Sequence, residues 1–121
     1  MINSAKEFVE LREKNDPRAT YEKAARGVWL EVIHDFPDYK AWVAHNKTVP
    51  VTILRILARD ADAQIRFWVA MKRKCPHDVF KRLAFDEDES VRVRIAWNAK
   101  TPPDILEMLQ KDCCRKTLAK K

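Results

Sequence analysis

Residues 68–93, WVAMKRKCPHDVFKRLAFDEDESVRV, return one period earlier as WVAHNKTVPVTILRILARDADAQIRF (42–67) and one period later as RIAWNAKTPPDILEMLQKDCCRKTLA (94–119). Four columns are invariant across the three segments: Ala44/Ala70/Ala96, Pro50/Pro76/Pro102, Leu57/Leu83/Leu109 and Asp60/Asp86/Asp112. Others keep only their chemistry, as in Val43/Val69/Ile95, Ile53/Val79/Ile105 and the pair Ile65-Arg66 with Val91-Arg92. Recurrence at about 26 residues is the mark of a repeat architecture in which each unit hides its apolar side against the next.

Each unit reads as two short helices. The proline predicts the start of one, because at the first helical position it sacrifices no needed N–H and already has helical φ. Thr101-Pro102-Pro103-Asp104 adds a hydroxyl cap and an early acid. Ile53, Leu54 and Leu57, like Ile105, Leu106 and Leu109, then fall at i, i+1, i+4 on one face. Asp86-Glu87-Asp88-Glu89 opens the second helix, since acids in a first turn complement the positive end of the helix dipole, and Val91, Ile95 and Ala99 carry its apolar side. Upstream, Ser4-Ala5-Lys6-Glu7 is a capping box for a helix with Phe8, Val9 and Leu11, and Asp16-Pro17 predicts a longer helix through Trp29, Leu30 and Ile33. The expected organisation is a single all-α domain: N-terminal capping helices over 1–36, repeats over 37–62, 63–88 and 89–114, and a basic tail over 115–121.

Composition narrows the alternatives. With Gly27 the only glycine and Ser4 and Ser90 the only serines, hairpin-rich β folds and glycine-built phosphate loops are disfavoured. The net charge of +6 is mostly terminal: residues 1–114 carry 20 Lys and Arg against 18 Asp and Glu, and Arg115, Lys116, Lys120 and Lys121 supply the rest. No apolar run approaches the roughly 18 residues of a membrane span, and the start MINSAKEFVELREK lacks the apolar core of a signal peptide. Three unpaired-looking cysteines, Cys75, Cys113 and Cys114, suit a reducing compartment, so a cytoplasmic location is expected.

The pattern D-x-D-x-x-[IV]-R-x-x-[VI]-A followed by P-x-x-[IVL]-[LF]-x-x-L-x-x-D resembles the leucine-rich-variant repeat and its HEAT-repeat relatives over about residues 36–112. The resemblance implies a short right-handed α-solenoid of about four helical hairpins, with the helices containing Arg66 and Arg92 on the concave side. It also implies a structural ladder between neighbouring repeats, built from Asp60 with Arg66 and Asp86 with Arg92, as exposed pairs worth about 0 to 1 kcal/mol. The iron-sulphur cluster carried by leucine-rich-variant proteins is not expected, because residues 1–74 contain no cysteine.

No catalytic, cofactor or metal site is expected. Cys75 with His77, and adjacent Cys113 and Cys114, lack ligand spacing, while Ser4 and Ser90 sit at helix starts and His34, His45 and His77 have no recurring partner. The concave helices instead interleave aromatics and bases, and the candidate partner-binding residues are Lys40, Trp42, His45, Trp68, Met71, Lys72, Arg73, Arg94 and Trp97. Trp and Arg are favoured anchors of protein interfaces. The expected function is therefore a non-enzymatic adaptor or inhibitor for a protein partner with an acidic surface; by analogy with small bacterial solenoids, a toxin-immunity role falls in this class. A nucleic-acid track, with tryptophans stacking on bases, is the alternative. Burial of Trp42 and Trp68 between repeats would remove them from either role.

Overall fold

The computed structural model describes residues 1–109; Asp112, Cys113, Cys114 and the basic tail lie outside the described residues. Those described are all-α. They form α1 (Ala5–Glu13), α2 (Arg18–Tyr21), α3 (Arg26–Asp35), α4 (Lys40–His45), α5 (Val51–Leu57), α6 (Ala63–Ala70), α7 (His77–Ala84), α8 (Glu89–Trp97) and α9 (Pro103–Met108), with a 3-10 turn at Pro37–Tyr39 and no strand among them. Two compact units divide the chain, Met1–Leu57 and the segment from Ala58 onward.

Helices α3, α5, α7 and α9 begin at Arg26, Val51, His77 and Pro103, so helix starts recur along the chain with the period of the prolines. Three of them follow a proline directly. Pro76 and Pro102 are extended, with ψ of 163° and 148°, and therefore occupy the cap position, one residue earlier than the sequence predicts. Their role is to offer a carbonyl: Pro76 O accepts from Val79 and Phe80 N–H at 3.0 and 3.1 Å, and Pro50 O does the same for Ile53 and Leu54. Thr101 does not cap α9 either. Its hydroxyl donates to Ile95 O at 2.6 Å, closing the turn back onto α8.

In the first unit, Ser4 caps α1, its Oγ accepting from Glu7 N–H at 3.1 Å. It packs on α3, where Phe8 meets Trp29 edge to face at a centroid distance of 5.1 Å, both rings fully buried. The single long helix expected from Asp16-Pro17 is instead two, α2 and α3, separated by an extended stretch from Glu22 to Ala25. Backbone groups there serve other partners. Lys23 O accepts from Ile2 N–H at 2.7 Å, and Glu22 O accepts from Asn46 Nδ2 and the Thr48 hydroxyl, both at 3.1 Å. These bonds compete successfully with continuation of the helix.

In the second unit, α6 packs on α8 and α7 on α8 and α9, so helices one period apart are neighbours. The aspartate pair of each period has one repeated job. Asp60 and Asp86 accept from the N–H of Asp62 and Asp88 at 2.9 and 2.8 Å, and Asp62 and Asp88 in turn cap α6 and α8 by accepting from Gln64 and Ser90 N–H. The Arg66 and Arg92 guanidinium groups donate to the carbonyls of Asp60 and Asp86. Arg66 also grips the Asp86 carboxylate with two bonds, at 2.7 and 3.1 Å. The ion pair thus joins Arg66 to the aspartate of the following period, not to the Asp60 carboxylate within its own. Nor is it exposed, as the resemblance implied: the Arg66 and Asp86 side chains are only 9% and 7% accessible. The Asp86 carboxylate raises the Arg66 pKa further above its already high ordinary value.

Candidate partner-binding face

Helices α6 and α8 pack on each other, one period apart, so that Phe67 of the first stands one period before Val93 of the second. Between them lies an open cleft of about 730 Å³ lined by Phe67, Glu89, Ser90, Val93, Arg94 and Trp97. Its surface is almost wholly apolar. Trp97 is 64% exposed, although a tryptophan is among the residues that gain most from leaving water.

Specific polar contacts hold the start and the end of α8. At the start of α8, Asp88 accepts from both the N–H and the hydroxyl of Ser90, which holds the Asp88 carboxyl below the usual carboxylate range and sets Glu89 at the cleft edge. At the far end the buried Asn98, next to Trp97, donates through Nδ2 to Ala70 O and Lys72 O at 2.8 and 2.9 Å and accepts from Lys100 N–H at 2.9 Å. One side chain therefore ties the end of α6 to the end of α8 and bonds the backbones of both Lys72 and Lys100. Arg73 and Lys74 follow, both exposed, and partial burial pulls the Lys74 pKa down.

Of the residues singled out from sequence, Arg94 and Trp97 line this cleft, whereas Met71, Lys72 and Arg73 follow α6 and are not part of its lining. Trp68 is half-buried. Lys40, Trp42 and His45 belong to the first unit, where Trp42 is half-buried: the Arg12 guanidinium lies 3.7 Å from its ring centroid and the His45 ring meets it edge-on at 5.8 Å. A partner seeking a bare ring face finds it occupied by Arg12. Phe67 and Val93 escaped the sequence reading; their signal was an apolar column one step before Trp68 and Arg94. Asn98 escaped it too, together with Asn46, which stands two periods earlier. Asn46 donates to Ala19 O and Glu22 O at 2.9 and 3.1 Å and accepts from Thr48 N–H, the three bonds that Asn98 also makes, with a fourth from the Thr48 hydroxyl.

Among the described residues no group of three His, Cys, Asp or Glu side chains is placed to hold a metal ion, and no helix is long and apolar enough to cross a membrane. Cys75 is buried with its Sγ donating to Val69 O, and burial pushes its thiol pKa up to about 12, far from that of a nucleophile. The chain matches no protein-family model, no curated protein and no solved structure.

Proposed function

We propose that this chain is a non-enzymatic scaffold, an α-solenoid of HEAT-like, leucine-rich-variant repeats, that binds a partner protein through the face formed by α6 and α8. The solenoid reading is supported by helix starts that recur in step with Pro50, Pro76 and Pro102 and by the packing of α6 on α8 and α7 on α9. The observation that carries the binding reading is Trp97, left 64% exposed beside Phe67 and Val93 in an apolar cleft. Contiguous apolar surface of this kind costs solubility unless something covers it, and Trp beside Arg is the side-chain pairing on which binding energy concentrates. An adaptor or inhibitor acting in the cytoplasm, in the manner of a bacterial immunity protein, fits such a rigid helical surface.

The test is capture of the native partner by the full chain and by its Trp97→Ala and Arg94→Ala variants. Loss of capture at least about tenfold, with unchanged helical circular dichroism and melting, is expected. Retained capture by Trp97→Ala removes the assignment of this face. The nucleic-acid reading draws on the basic run Lys72-Arg73-Lys74 after α6, but Glu89 lines the cleft that holds Trp97 and Arg12 covers Trp42. A gel shift weakening with salt at a log–log slope near about −4.5, for about five phosphate contacts, would establish it instead.

A further inference from the structure

We infer that the apolar cleft between α6 and α8 is also the contact between two copies of this chain, paired about a two-fold axis with their α8 helices antiparallel. The inference goes beyond the partner-binding reading: a second copy covers the same face while the native partner is absent, so self-association and partner capture compete.

The residues that line the cleft supply the argument. All but Phe67 lie on α8, with Glu89 in its first turn, Val93 at its middle and Arg94 in its last turn, followed by Trp97. The strip therefore carries a carboxylate near one end of the helix, a guanidinium near the other and apolar side chains along it. Neither Glu89 nor Arg94 forms an ion pair with another described residue. A complementary surface must offer apolar groups to Phe67, Val93 and Trp97, a cation level with Glu89 and an anion level with Arg94. Helix α8 run in the reverse direction has that order. Where two identical patches meet about a two-fold axis, contact of one residue with a second implies the reciprocal contact, so each favourable pair occurs twice. Antiparallel α8 helices set Glu89 of each copy level with Arg94 of the other and bring Trp97, 64% exposed in the single chain, against the other copy. Parallel helices would set Glu89 against Glu89 and Arg94 against Arg94. A phosphate backbone or an anionic lipid surface offers no cation for Glu89.

Sedimentation equilibrium of the full chain should find a reversible dimer with a dissociation constant on the order of 10 µM, in keeping with a small interface. Trp97→Ala should raise that constant about tenfold or more. Glu89→Arg and Arg94→Glu each place like charges at both contacts and should weaken the dimer to a similar extent, an effect that shrinks as salt is raised. An equimolar mixture of those two variants should pair again, and so should the chain carrying both changes, because either arrangement restores two opposite pairs. Phe85→Ala, exposed elsewhere, should leave association unchanged. Far-ultraviolet circular dichroism equal to that of the wild type checks that each variant keeps its helices. The mass of a single chain at concentrations up to about 300 µM, some thirty times the expected constant, a dimer indifferent to Trp97→Ala, or charge variants that fail to pair with each other would each overturn the inference. Loss of native-partner capture by Trp97→Ala in a chain that stays monomeric leaves the partner-binding face standing and removes only the second copy from it.

Discussion

Asn98 offers the sharpest test of how the face is held. Its side chain is buried at 5% accessibility and makes three hydrogen bonds, two donated to helix-end carbonyls and one accepted from Lys100 N–H. Each bond contributes about 0.5 to 1.5 kcal/mol net, and a buried carbonyl left without a donor costs about 1 to 3 kcal/mol. Asn98→Ala should therefore destabilise by about 2 to 4 kcal/mol, a fall in melting temperature of about 6 to 20 °C for a chain of this size. Asn98→Asp separates hydrogen bonding from shape. The introduced carboxyl keeps the acceptor for Lys100 N–H but turns an oxygen toward two carbonyl oxygens, so its folded-state pKa must rise. A carboxyl raised on folding destabilises above its unfolded value and recovers as pH falls, when the protonated form can donate once. Urea unfolding followed by circular dichroism should find Asn98→Asp at least as damaging as Asn98→Ala at pH 7 and less damaging near pH 4. Wild-type stability for either variant at pH 7, or a pH response of the opposite sign, refutes the assignment of Asn98 as the tie between α6 and α8.

Other expectations concern the neighbouring polar contacts. Arg66→Ala should cost about 3 to 5 kcal/mol in urea unfolding, because it strands the Asp86 carboxylate at 7% accessibility, whereas Arg66→Met with Asp86→Leu should cost less than either single change. An additive double variant would show the pair to be uncoupled. Asp88 has its carboxyl held low by Ser90, so its contribution is present at neutral pH and lost as pH falls through and below the ordinary carboxylate range; Asp88→Asn, which still caps, should show a shallower acid decline in melting temperature than wild type. In a Cys113→Ser, Cys114→Ser background, Cys75 should react with Ellman's reagent at pH 8 only on unfolding, since a thiol pKa near about 12 leaves almost no thiolate. Reaction of the native protein at the rate of free cysteine would contradict that burial.

The all-α class was legible because it depended on features that repeat: prolines returning once per period at 50, 76 and 102, each followed by an apolar face, and acid pairs before the next helix. What escaped notice was set by contacts distant in sequence. The break between α2 and α3 carries no glycine or proline of its own; it exists because Asn46, Thr48 and Ile2 take the carbonyls of Glu22 and Lys23. Burial of the Arg66–Asp86 pair likewise depends on which period supplies the acid, and the family resemblance had paired Arg66 with Asp60. Arg94 and Trp97 were identifiable as aromatics and bases on one helix. Trp42 had the same signature, and its half-burial under Arg12 and against His45 is what distinguishes it from the exposed Trp97.

Asp86 and Asn98 reach back 20 to 28 residues for their partners, which bears on how quickly the chain can find its structure. Closing a loop of that length costs about 3 kcal/mol of chain entropy, and no contact among these needs a longer search. Folding that advances by such short closures has a low contact order and belongs on the millisecond scale or faster. Lengthening the chain by whole periods should leave its refolding rate nearly unchanged, because the slowest necessary encounter stays the same size.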